Sequence, residues 1–254
     1  MDANEEGDMS AAADRPLPRI LRKWIWVAVF AIAFAYVESA VVVYLRRIYF
    51  EGAFEFPIAT VWDNGRHVLD PLILVEMGRE AATIVMLAAA GILAGASALQ
   101  RFCFFMIAFG IWDIFYYVWL WVILRWPESL MTWDLLFYIP LPWVGPVITP
   151  VLIASTMTAA GTLLIALQDR GVRIRWRRVD WVVEMGCAFL LIVSFCWDWK
   201  NILRVPDGIP RTGIPVSFAW WLFVPAYLCA PIYFAVRLGP AVAAGKGGPG
   251  DGRT

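Results

Sequence analysis

The sequence predicts an all-α fold, a polytopic integral membrane helical bundle, and three observations carry that expectation. Hydrophobic residues fill 61% of the 254 positions and charged ones only 17%, well under the roughly 25% charge of a soluble domain. Mean hydropathy is +0.67. Six apolar runs follow one another along the chain, each of about 20 residues and able to cross ~30 Å of hydrocarbon at ~1.5 Å per residue.

The elements follow in order. Residues 1–19 are acidic, alanine-rich and proline-containing, and read as a disordered cytoplasmic tail. The first span is expected at about 24–45, within a six-helix domain of residues 20–237. Its basic flank (Arg19, Arg22, Lys23) imitates a secretory signal, but the apolar run continues through "VVVYL", too long for a signal core, so the helix is expected to stay uncleaved. The second and third spans, about 74–98 and 101–125, are separated by so few residues that they must form a helical hairpin. The remaining spans are expected at about 143–167, 180–199 and 216–236, followed by a disordered, glycine-rich cytoplasmic tail at 238–254.

Two outer segments are too long for simple turns. Residues 46–73 include "FEFPIATVWDNGRHVLDP", and residues 126–142 read "WPESLMTWDLLFYIPLP". Both mix apolar and polar positions at helical spacing, so each is expected to hold a short interfacial helix, with a re-entrant path as the alternative for the second. Gly91 and Gly95 form a G-x-x-x-G face in span two, and "ASTMTAAGT" a small-residue face in span four; both suit close helix packing inside the chain.

Orientation follows from lysine and arginine. With the N-terminus inside, the inner segments hold 13 of these residues and the outer segments seven. The cluster "RGVRIRWRR" carries most of that difference, and predicts a cell-membrane protein with both termini cytoplasmic. Its partners would be membrane lipid and a lipid-like substrate, not nucleic acid, because the net charge is zero and no basic stripe is present. The four cysteines lie in apolar runs without a C-x-x-C pair, which favours buried small hydrophobes over a disulfide framework or zinc site.

The informative residues are acids placed where lipid should make them costly. Asp113 falls at the midpoint of span three, where an aspartate is unfavourable by ~2.5–3.5 kcal/mol and must face the bundle. Glu38 lies ~10 Å inside the outer end of span one. Glu76 and Glu80 share one face of span two, and Thr83 continues it. Asp134 and Asp198 sit at the same side of the membrane. Arg79 is the only basic residue within a span at comparable depth, so the other acids must be protonated, hydrated or matched by a cation. Trp112, Tyr116 and Tyr117 stand beside Asp113, which predicts an aromatic-walled polar site open to the outer face with Asp113 at its floor.

Three functions fit that pattern. The first is an enzyme or binding protein for a lipid or isoprenoid-like amphiphile. Asp113 or Glu80 would be its general acid and Glu38 the carboxylate counterpart, with Glu76, Arg79, Trp112, Tyr116, Tyr117, Asp134 and Asp198 contacting substrate. The second is a proton- or cation-coupled carrier, which would need polar groups on the inner half as well. The third is a non-catalytic scaffold or assembly factor. No established cofactor motif is present; oxygen ligands from Glu76 and Glu80 with Glu38 or Asp113 could suit a divalent cation.

Overall fold

The computed structural model describes residues 18–49, 60–63, 66–69, 71–139, 141–172, 174, 176–197 and 217–246. Its helices are α1 (Arg19–Tyr49), α2 (Pro71–Ala94), α3 (Ala98–Leu124), α4 (Ile148–Asp169), α5 (Arg178–Cys196) and α6 (Trp220–Lys246). All six are long and apolar enough to cross a membrane. The strands are β1 (Thr60–Asp63), β2 (Arg66–Leu69), β3 (Trp133–Phe137) and β4 (Trp143–Pro146).

Helix ends follow local chemistry. The α2–α3 turn is closed by Ser97, whose hydroxyl accepts the Gln100 N–H at 3.2 Å, as an N-cap serine should. Lys23 of α1 donates to the Ala94 carbonyl at 2.7 Å, covering an end carbonyl that lacks a helical partner. At the far end of α3, Arg125 takes a left-handed conformation (φ 56°) and Pro127 follows. Helix α4 tolerates Pro150 because it lies in the first turn, where no intrahelical donor is needed. Its other end is a Schellman cap. Gly171 at φ 78° lets its N–H reach Gln168 and the Val172 N–H reach Leu167, at 2.9 and 3.0 Å.

Helix α3 is the centre of the bundle, packed on α1, α2 and α4. Small residues set these approaches. A Cβ on Gly91 would fall 2.7 Å from the Phe105 nitrogen, and one on Gly161 of α4 would fall 2.8 Å from the Cys103 oxygen. Gly91 and Gly95 thus pack α2 against α3 within the chain. The main core gathers Ala31 and Ala35 of α1, Leu87 of α2, Cys103, Phe104, Ile107 and Ala108 of α3, and Leu164 of α4. Helices α5 and α6 pack chiefly on each other, and a smaller aromatic core of Phe195, Phe218 and Phe223 joins them to β4. Outward faces are apolar, Leu93, Val182 and Ile232 among them, as a lipid-facing surface requires.

Among the described residues, the outer segments form strands where interfacial helices are expected. Residues 60–69 form an antiparallel hairpin pairing Thr60 with Leu69 and Asp63 with Arg66. In the second segment β3 pairs antiparallel with β4, Trp133 opposite Pro146 and Phe137 opposite Trp143, with an irregularity between Leu135 and Phe137. Pro140, Pro142 and Pro146 remove amide donors a helix would need, while the aromatic and β-branched residues around them favour extended backbone. The same hairpin corrects the start of span four from 143 to Ile148. At the other end of the chain, α6 continues to Lys246, so residues 238–246 of the expected tail are helical.

Candidate functional site

The β3–β4 hairpin is enclosed, with Asp134, Val144 and Val147 all buried. Non-helical backbone inside a membrane bundle is tolerated only where protein surrounds it. The hairpin brings Asp134 and the Tyr138 amide to the acids of the helices, and the resulting group has two halves.

The first half centres on Arg79. Its guanidinium makes ion pairs with Glu38 of α1 and with Glu76, one turn earlier on α2. The Glu76 contact includes a hydrogen bond from Arg79 Nε at 3.0 Å. Thr83, the next position on that face, donates its hydroxyl to Glu38. Ser39, beside Glu38, donates toward the Ala35 and Tyr116 carbonyls at 2.8 and 3.1 Å, which ties α1 to α3. Arg79 is therefore committed to two acids.

The second half surrounds Asp113. Tyr117 donates its hydroxyl to Asp134 Oδ2 at 3.1 Å, and Asp113 lies within electrostatic reach of both Asp134 and Tyr117. Asp113 is only 8% exposed. Next to it, Trp112 is 6% exposed and its Nε1–H has no partner. A buried donor left in that state costs about 1–3 kcal/mol. Trp143 Nε1 is likewise enclosed and unpartnered. The Trp112 ring lies 6.4 Å from both Tyr116 and Phe137, and Phe137 lies 5.6 Å from Trp143.

Tyr138 links the halves. Its backbone N–H donates to Glu80, and burial together with the nearby acids Glu76, Glu80 and Asp134 pushes its phenol well above the usual range. Tyr116 also spans them, its ring 5.1 Å from Tyr117 and its hydroxyl within electrostatic reach of Arg79.

Of the residues singled out from sequence, Glu38, Glu76, Arg79, Glu80, Trp112, Asp113, Tyr116, Tyr117 and Asp134 thus fall in one connected group. Asp198 lies outside the described residues. Sequence reasoning missed Tyr138, Phe137, Trp143 and Ser39. Tyr138 acts through its amide, which carries no side-chain signature; Ser39 could have been noticed as the polar neighbour of Glu38. Among the described residues no set of three or more histidine, cysteine or acidic side chains is spaced to hold a metal ion.

A separate group lies at the opposite ends of α5 and α6, where Asp180 accepts from Tyr233 at 2.7 Å and from Arg237 Nε at 2.8 Å. It also caps α5 by accepting the Arg177 N–H at 2.8 Å. These bonds make Asp180 a clamp between two helices.

Fold and site together define a multi-pass membrane protein with a buried acid and aromatic group. Comparison with protein families, with curated proteins and with solved structures gives no match.

Proposed function

We propose that this cell-membrane protein, with both termini in the cytoplasm, binds a lipid-like amphiphile from the outer leaflet and presents Asp113 to its polar end as a proton donor or hydrogen-bond partner. One observation carries the reading: beside Asp113, which is buried at mid-helix, the enclosed Nε1–H groups of Trp112 and Trp143 have no partner among the described residues. Buried polar groups are ordinarily satisfied, and exceptions call for a ligand or a chemical role. Within the site, Arg79 with Glu38 and Glu76 forms the frame. Glu80 holds the hairpin, Tyr117 and Asp134 are hydrogen-bonded to each other beside the acid, and Tyr116 and Trp112 shape the wall. Glu38 thereby becomes a positioning residue rather than a second acid.

A carrier is less well supported, because on the cytoplasmic side of Asp113 the interior of α3 is Cys103, Phe104, Ile107 and Ala108, all packed in the apolar core. That leaves no polar route inward along this helix.

The test is native mass spectrometry of the full chain released from detergent, comparing wild type with Asp113→Asn. A retained amphiphile of defined mass, reduced about tenfold or more in the variant, supports the reading. Identical spectra carrying only heterogeneous annular lipid would replace it with a structural scaffold.

A further inference from the structure

Building on the amphiphile reading, we infer that the polar end of the ligand is neutral and carries an acceptor oxygen, a carbonyl or hydroxyl, rather than a phosphate. Of three enclosed indole donors without a partner among the described residues, Trp176 Nε1 lies apart, against Trp181 and Phe234, while Trp112 Nε1 and Trp143 Nε1 belong to this group. They flank one ring, with Phe137 at 6.4 Å from Trp112 and 5.6 Å from Trp143. Indole N–H groups donate and never accept, so their missing partner is an acceptor.

The charges around them restrict which acceptor fits. A phosphate needs cationic donors such as arginine, and here Arg79 already serves Glu38 and Glu76. Glu80, Asp113 and Asp134, all three buried, carry no positive charge in any protonation state and repel an anion whenever they are ionised. An ammonium headgroup suits the acids but offers nothing to indole donors. A neutral carbonyl or hydroxyl satisfies both demands: its oxygen accepts from an indole, and Asp113 can donate to it or receive from it. The aromatic row accommodates a planar or alkyl body by stacking and dispersion. Neutral amphiphiles of this kind include diacylglycerols, isoprenoid alcohols and isoprenoid quinones.

The experiment measures binding to the full chain in detergent by thermal shift and by native mass spectrometry. The probes are a short-chain diacylglycerol, a short isoprenoid alcohol, a short-chain benzoquinone and, as the anionic counterpart, a phosphatidate with the same acyl chains as the diacylglycerol. At least one neutral probe is expected to bind at least tenfold more tightly than the phosphatidate. Trp112→Phe and Trp143→Phe, which keep the aromatic bulk, are each expected to weaken it about three- to tenfold. Circular dichroism confirms the fold of each variant, and the second serves if the first does not fold. The phosphatidate binding as tightly as the neutral probes, or both indole variants binding like wild type, would overturn the inference while leaving the amphiphile reading in place. Absence of binding by all four probes, with no retained amphiphile in wild type, would overturn both.

Discussion

Glu80 of α2 receives the Tyr138 backbone N–H on both of its carboxylate oxygens, at 3.1 and 2.9 Å. The end of the β3–β4 hairpin is thus tethered to a helix by an acid. Glu80→Ala should leave that amide unsatisfied and cost about 1.5–3 kcal/mol, whereas Glu80→Gln keeps an acceptor and costs less. Amide hydrogen exchange at Tyr138 reads the difference. Unchanged protection in the alanine variant would show that the tether contributes nothing.

Arg79→Met should be among the most damaging single changes. It strands Glu38 and Glu76 without a counter-charge, and breaking a buried pair typically costs ~3–5 kcal/mol. Arg79 is 26% exposed, which places the loss toward the lower end of that range. Adding Glu38→Gln should recover part of it. Thermal unfolding in detergent checks both, and a double variant no more stable than the single one would argue that Glu38 is not the stranded partner.

Two glycines should respond with opposite signs. Gly161→Ala places a methyl 2.8 Å from the Cys103 carbonyl and 3.1 Å from Ile107 Cγ1, and overpacking of that kind costs about 1–3 kcal/mol. Gly78→Ala meets nothing within 4 Å and should stabilise α2 by up to ~1 kcal/mol through helix propensity. Melting temperatures falling for the first and rising for the second are the expected result.

Alkaline stability should depend on Tyr138. Burial chiefly, then Glu76, Glu80 and Asp134, raise its phenol above the ordinary value, so the folded state holds the proton more tightly than the unfolded state does. That contribution is complete below about pH 10 and is lost as pH climbs beyond it. Tyr138→Phe should flatten this part of the stability profile relative to wild type. Parallel curves above about pH 10 would contradict it.

The parts of this molecule legible in its sequence are those governed by long-range hydropathy. Six spans stand out because each reaches about the length a bilayer demands, and the short α2–α3 turn forces two of them together. Glu38, Arg79 and Asp113 could be singled out for a related reason: a charge within an apolar helix costs enough to need a partner. The hairpin escaped because "WDLLF" and "WVGP" are short runs whose apolar spacing does not separate strand from helix. The prolines at 140, 142 and 146 were the better signal. Tyr138 was invisible because an amide is common to nearly every residue, and only the fold decides which amide meets an acid.

The arrangement of α5 and α6, packed chiefly on each other and on β4, has a bearing on synthesis. A ribosome that has released the chain through Asp169 has already made Glu38, Glu76, Glu80, Asp113 and Asp134, together with the hairpin that joins them. The last two helices arrive afterwards, and Phe195, Phe218 and Phe223 must close over the Gly145 side of that hairpin. Until they do, that side of the hairpin lacks its aromatic cover, so nascent protein stalled between α4 and α5 would expose it to membrane quality control.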